Sequence, residues 1–375
     1  MTPKRLLLVG GGHAHIEVLR RFAAAPPPDV TTTLVSATPG TLYSGMLPGV
    51  IAGHYALADA TIDLAPLAQA AGAQFVADPV VRLDLYIRIA HLASGTVAPF
   101  DVLSLDVGSA PDVTVPGAGA HAVGVKPFAE FLAAWEVLQI DAAAERVRTV
   151  AVVGGGAGGI EVLLAMQYRL VATLGPHPPR FVLVTELPHL LALHARAVRR
   201  TLGKVLVARD VVLELASPAL AVEAGAIVTT GGRRIAADRI FMATTAVGAP
   251  WLAASGLECD DRGFVYVDDC LQSVALPFVF AAGDCASPLS HAQPKSGVNA
   301  VRHGPPLAAN LLHAARGTPP EPFVPGRHAL ALISTGDRQA VASRGLLTAA
   351  GAWVWRWKDR IDRRFVARYR IAGGG

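Results

Sequence analysis

Cysteine is scarce in this 375-residue chain, which has only Cys259, Cys270 and Cys285. Three cysteines make no disulfide framework, and such usage fits a reducing cytoplasm, the expected location. They form no C-x-x-C or C-x4-C pair, so a redox-active dithiol is not expected. Charge is sparse too: 17% of residues are charged against 52% hydrophobic, with a formal net charge of +4. That composition builds large cores and excludes a disordered chain. Nucleic-acid-binding motifs are missing, and the histidines lack metal-ligand spacing, so neither nucleic acid nor metal is expected. No run of 18 strongly apolar residues occurs; the nearest, residues 240–257, is broken by threonines, glycines and Pro250. The opening MTPKRLLLVGGG has too short an apolar run for a signal peptide and reads as a first strand.

What is present is a repeat. RLLLVGGGHAHIEVLRRF (5–22) and TVAVVGGGAGGIEVLLAM (149–166) are each an apolar strand, a triple glycine and a helix, about one domain apart. Each helix is followed by a Pro-rich turn and a second strand, TTTLVS (31–36) and FVLVTE (181–186). Strands alternating with helices predict parallel sheets. Alternating stretches at 73–105 and after Val211 read as a β-meander in each unit. The expected class is therefore α/β: two Rossmann-like dinucleotide-binding domains, each a parallel sheet plus meander, and a small C-terminal α+β domain.

In a dinucleotide loop one glycine turns the chain, the next lets the pyrophosphate approach the backbone, and the third lets helix and strand pack closely. The second loop is complete, with Gly154, Gly156 and Gly159. The first has Gly10 and Gly12, with His13 and Ala14 opening the helix, but His15 stands at the third position. His15 reads either as a cofactor contact or as an accommodated helix-face histidine. The residue ending the second strand is expected to read the ribose. In the second unit it is taken as Glu186, which would hydrogen-bond a 2′-hydroxyl and repel a 2′-phosphate, favouring NADH over NADPH. In the first unit it is Ser36, a weaker partner than a carboxylate.

LPFVFAAGDCA (276–286) is an apolar strand ending in Gly283-Asp284. In two-dinucleotide flavoproteins such an aspartate accepts from the ribityl chain of FAD. Downstream, a helix is expected to start near Gly297, its N-terminus facing the flavin pyrimidine ring. Lys295 either adds to that field or is a solvated loop lysine. SLDVGSAP and MATTAVGAP, with Gly108 and Gly248, read as turns that hand the chain between domains. Val81, in the first meander, joins the expected cofactor set.

These segments, with LYSGMLPGVIAGHY, PKSGVNAVRHG and WRWKDRIDRRF, resemble the FAD/NAD(P) pyridine nucleotide-disulfide oxidoreductase superfamily. The resemblance is to the branch of type II NADH dehydrogenases and of proteins associated with selenophosphate synthetase. It implies FAD bound by a two-segment domain, 1–112 and 249–315, NADH bound in preference to NADPH by an inserted NAD(P)H domain, 113–248, a C-terminal interface domain, 316–375, and hydride transfer to the flavin. It also implies a catalytic role for Glu161 beside the nicotinamide, against the plainer reading of a helix-start glutamate. Ser44, Gly45 and Pro48 would pass beside the flavin ring. Without a cysteine pair, electrons are expected to leave directly to a quinone-like or other small acceptor. A sulfide- or selenium-compound oxidoreductase and a non-catalytic flavin-binding sensor remain as alternatives.

The tail WVWRWKDRIDRRFVARYR (353–370) repeats Trp353, Trp357, Ile361 and Phe365 at helical spacing. One reading is a basic, Trp-rich helix at a membrane surface. The other is a helix docked on the core or forming a homodimer.

Overall fold

The computed structural model describes every residue except 1, 113, 176, 245, 292, 325, 327, 328 and 372–375. Two five-stranded parallel sheets organise it. In the first the strand order is Val279–Ala281, Val102–Leu105, Lys4–Val9, Val30–Ser36, Gln74–Ala77. The central KRLLLV strand is apolar after its first two residues because both faces of its sheet are covered, by packed helices and by an antiparallel meander, and Leu6 to Val9 are all buried. The second sheet runs Val123–Gly124, Arg239–Met242, Thr149–Val153, Arg180–Val184, Val212–Glu214. The two orders match strand for strand around each glycine loop. The edge strand Val279–Ala281 comes from the late part of the chain, so the first sheet is built from two chain segments.

Each sheet carries an antiparallel meander. One is Val80–Asp84, Ile89–Leu92, Val97–Pro99; the other is Ala219–Glu223, Ala226–Thr229, Arg234–Ala236. A short antiparallel ribbon pairs Ala110–Pro111 with Ala246–Val247, where the chain passes between the two units. A three-stranded sheet, Ala331–Ser334, Ala340–Arg344 and Leu347–Gly351, and the helix Ala352–Tyr369 complete the chain. The fold class read from the sequence is the one observed.

The terminal helix turns most of its Trp-rich stripe outward and docks by a different face. Trp353, Trp357 and Ile361 are 53%, 41% and 38% exposed, whereas Phe365 is buried. The face turned inward carries Val354, Lys358, Asp362, Phe365 and Tyr369. Two charged residues sit inside because they pair, Lys358 Nζ donating to Asp362 Oδ2 at 2.5 Å. The Tyr369 hydroxyl donates to Glu17 Oε2 at 2.9 Å, tying this helix to the helix His13–Ala24 that follows the first glycine loop.

Candidate dinucleotide and redox site

The two glycine loops superimpose in their bonding. Gly10 donates to Val35 O and Gly154 to Val184 O, both at 2.8 Å. Both have positive φ, +94° and +132°, where side chains are strained. A Cβ on Gly10 would lie 2.3 Å from Asp106 O, and one on Gly154 would lie 2.2 Å from Ala243 O. Asp106 N donates to Val9 O as Ala243 N does to Val153 O. The pairs Ser36 and Thr185, and Asp106 and Ala243, are therefore equivalent places in the two units.

This register moves one expectation. The strand Arg180–Val184 ends before Thr185, and Thr185, not Glu186, matches Ser36. Glu186 lies one residue further and is exposed, at the start of the bend that follows the strand. It still lines the cavity of the second unit. That cavity measures about 860 Å³ and runs along Gly154 to Gly159. Glu186 and Ser217 stand on its wall in the second unit, and Arg262, Phe264, Gln293 and Lys295 stand on its wall from the flavin-side segment. A Cβ on Gly156 would meet nothing within 4 Å, so the loop backbone is open to an occupant. Size, glycine backbone and helix N-terminus together suit a dinucleotide.

The first loop differs. His15, buried, has its Nδ1 2.6 Å from Gly10 O and its Nε2 2.8 Å from Ser104 Oγ. Both ring nitrogens are engaged within the protein, so His15 clamps the loop rather than offering a contact to a cofactor. At the matching place a Cβ on Gly159 would lie 2.2 Å from Gly154 O. The imidazole thus reaches the carbonyl that the third glycine packs against. Burial lowers the His15 pKa to about 4, against the bond to Gly10.

Asp106 fills the mouth of this loop. Its Oδ2 accepts from Ala14 N at 2.8 Å and His15 N at 3.1 Å, the free amides at the helix start. A Cβ on Gly12 would lie 2.2 Å from its carboxyl carbon. Burial raises its pKa to about 7; the two amide bonds oppose that rise and Asp284 adds to it. Desolvation therefore outweighs two good hydrogen bonds. Nearby, His13 Nε2 is shut from solvent without a partner, and its ring packs edge-on to Tyr43. Burial lowers its pKa to about 4. The loop backbone, the helix start and an orphaned imidazole nitrogen fit the phosphates and ring system of a flavin dinucleotide. The amides that would hold the phosphates are engaged by Asp106.

The flavin-side residues converge on one region. Asp284 is buried at the Gly283–Cys285 turn, and its Oδ2 is ion-paired with Lys126 Nζ at 2.7 Å. Lys126 belongs to the second unit and lines its cavity, so one ammonium touches both dinucleotide regions. Lys295 also lines the cavity; its Nζ is 3.8 Å from the Phe264 ring centroid and bonded to Ala286 O. Burial lowers the Lys295 pKa. The helix Gly297–Arg316 begins as expected, with Ser44 Oγ 2.8 Å from a Cβ placed on Gly297. Pro48 is buried in the short helix Leu47–Ile51. Gly45 O accepts from Lys358 Nζ. Glu161 Oε1 accepts from Ser334 N at 2.8 Å, and burial lifts its pKa to about 7 against the pull of Lys358. Tyr43 stacks on Phe365 at 4.2 Å, and burial raises the Asp362 pKa despite Lys358. Val81 is exposed on its meander strand. Gly108 has nothing near its Cβ position, and Gly248 N donates to Arg262 O at 2.8 Å.

Four residues of this region escaped the sequence reading: Asp106, Lys126, Lys358 and Asp362. Aligning SLDVG with MATTA through the repeat would have exposed Asp106 opposite Ala243. The other three are brought in by tertiary packing. Cys285 is buried with its thiol pushed up to about 12 by burial and the Asp106 charge. Among the described residues no group of His, Cys, Asp and Glu stands as a metal site, and no helix is long and apolar enough to cross a membrane.

A profile of the family described as pyridine nucleotide-disulphide oxidoreductase matches residues 4–304. A nitrite reductase [NAD(P)H] of Bacillus subtilis is 25% identical over 295 residues, 76% of this chain and 35% of its own. An NADH dehydrogenase-like protein of Mycobacterium tuberculosis is 28% identical over 162 residues, 42% of this chain and 40% of its own. The matches thus span well under half of these curated relatives. Among solved structures, the sulfide:quinone oxidoreductase of Aquifex aeolicus aligns with TM-score 0.83 at 18% identity, over 99% of this chain and 93% of its own. The NADH-bound NDH2 of Plasmodium falciparum aligns with TM-score 0.80 at 13% identity, over 98% and 97%.

Proposed function

This chain belongs to the pyridine nucleotide-disulphide oxidoreductase family, and from that premise we propose that it is an FAD-dependent enzyme that draws electrons from NADH and delivers them to a small acceptor. One observation carries the reading. A single cavity runs from Glu186, past the second glycine loop, to Lys295 and Lys126, and Lys126 is bonded to Asp284 of the flavin-side turn. Bound FAD would supply the electron relay between donor and acceptor.

The chain's own groups divide the remaining work. Gly154 to Gly159 present a helix N-terminus to the phosphates of the nucleotide. Glu186 disfavours a 2′-phosphate. Asp284 would accept from the ribityl hydroxyls, with Lys126 balancing its charge. Glu161, held at a pKa of about 7, can hold or release a proton near neutral pH beside the Lys358–Asp362 pair. A route through a protein thiol is disfavoured, since Cys285 is buried and its thiolate is suppressed. The acceptor is therefore read as quinone-like, reached without a redox disulfide. The exposed Trp353, Trp357 and Ile361 lie among Arg356, Arg360 and Arg364, which suits an anionic membrane surface as the place where such an acceptor is met.

The test is an anaerobic titration of the flavin absorbance with NADH and with NADPH. Fast bleaching by NADH and much slower bleaching by NADPH support the reading. Bound FAD that neither nucleotide reduces would sink it.

A further inference from the structure

The two halves of the chain treat equivalent positions differently. In the second unit Ala243 leaves the helix start open and the Gly156 backbone faces the cavity. In the first, Asp106 occupies the equivalent position, and its carboxylate accepts from the amides of Ala14 and His15. The same carboxylate crowds the loop from two sides, because a Cβ on Gly12 or on Gly283 would lie 2.2 Å or 2.4 Å from its atoms. Helix amides of this kind are the donors that a dinucleotide fold offers to a pyrophosphate. A carboxylate and a pyrophosphate are both anions, and they cannot share two N–H groups in a buried site.

We infer that Asp106 is a built-in competitor for the flavin phosphate site, so that FAD binds with uptake of one proton from solvent by the Asp106 carboxyl. The inference rests on the flavin reading above. Protonation removes the negative charge and one claim on the amides, and the neutral acid can remain beside the phosphate as a donor or swing clear. The other titratable groups around Asp106 are accounted for. His13 and His15 on its helix, and His303 bonded to Gly283 N, have pKa values lowered to about 4, chiefly by burial, and stay neutral above pH 6.5. Cys285, on the adjoining turn, has its thiol pushed up to about 12, chiefly by burial. Asp284 is ion-paired with Lys126. Asp106 itself, raised to about 7, is the group placed to change charge across neutrality.

The experiment is calorimetric titration of the full-length, flavin-free chain with FAD between pH 6.5 and 9, each pH in two buffers of different ionisation enthalpy. Wild type, Asp106→Asn and Asp106→Ala are compared; the last reproduces the residue found in the second unit. The expected wild-type result is an affinity that falls about tenfold per pH unit above pH 7, with about one proton taken up per FAD at pH 8. Both variants should bind more tightly at pH 8, with a flat profile and about no proton uptake. A variant that keeps the wild-type slope, or binds FAD more weakly than wild type at pH 8, overturns the inference while leaving the flavin reading intact. A chain that binds no FAD at any pH in any of the three forms overturns the flavin reading itself.

Discussion

His15 and Gly159 hold the same place in two copies of one loop, and each closes on the carbonyl of the loop's first glycine. Glycine does it by having no side chain, and a Cβ there would lie 2.2 Å from Gly154 O. Histidine does it with a ring nitrogen 2.6 Å from Gly10 O.

His15→Ala should therefore loosen the loop. It leaves the Ser104 hydroxyl without its imidazole partner and opens a cavity, together costing about 3 kcal/mol. The expected thermal midpoint falls by about 4 °C. The pH dependence has a definite sign. His15 titrates near 4 in the fold, below the ordinary value of 6.5. Its contribution is complete above pH 6.5 and is lost as pH falls toward 4. Melting curves from pH 4 to 8 should show the variant's deficit shrinking in acid; a deficit that grows there would refute the assignment.

Asp106→Asn should stabilise the flavin-free chain, with the opposite pH sign. Its carboxyl titrates near 7 in the fold against 3.8 when free. Between those values the native state keeps a proton that the unfolded chain has lost, so wild-type stability declines as pH rises through that window. The variant's gain should be absent below pH 4, grow to pH 7 and stay level above it. Differential scanning calorimetry at pH 4, 6 and 8 reads this directly.

Glu186 is exposed on the cavity wall, one residue beyond the place of Ser36. Glu186→Arg should shift the ratio of kcat/KM for NADPH over NADH upward by tenfold or more, about 1.4 kcal/mol. Steady-state kinetics with both nucleotides checks it. An unchanged ratio would remove Glu186 from nucleotide choice.

The Lys358–Asp362 pair is nearly closed off, with side chains 10% and 5% exposed. Lys358→Met strands the Asp362 charge and should cost about 3 kcal/mol. The double variant Lys358→Met/Asp362→Leu should recover most of that loss. Denaturant melts of wild type, Lys358→Met, Asp362→Leu and the double variant give the coupling directly.

Trp353→Ser/Trp357→Ser/Ile361→Ser removes the outward face of the terminal helix without touching its buried side. The triple variant should lose co-sedimentation with anionic vesicles, while wild type binds them and is released by salt. Wild type that ignores vesicles but elutes as a dimer would assign the same face to a second copy of the chain.

Regular features were legible in the sequence because they are local. The triple glycines, the strand and helix periods and the meanders each announce themselves within about twenty residues, and both sheets follow from them. What was not legible depends on register and pairing. Thr185 takes the place given to Glu186 because the strand stops one residue earlier. The terminal helix turns inward a face holding Lys358 and Asp362, which hydropathy marks as outward. Their mutual bond and the Gly45 carbonyl from a distant segment let these two charges be buried alongside Val354, Phe365 and Tyr369. Asp106 sat in plain view within SLDVGS, but its reach to Ala14 and His15 is set by the pairing of Lys4–Val9 with Val102–Leu105.

The ribbon joining Ala110–Pro111 to Ala246–Val247 places the chain's exit from the first sheet's unit beside its return. Everything between those points forms a loop with a narrow neck. In architectural terms the second unit is a cassette. Deleting it and bridging Ala110 to Val247 with a short turn would leave all five strands of the first sheet in order, because none of them comes from the deleted stretch. The neck is not the whole joint, however: the helix Ala157–Leu174 also packs on Leu47–Ile51 and Ala331–Ser334, so any other cassette seated there would have to match that surface as well as the ribbon.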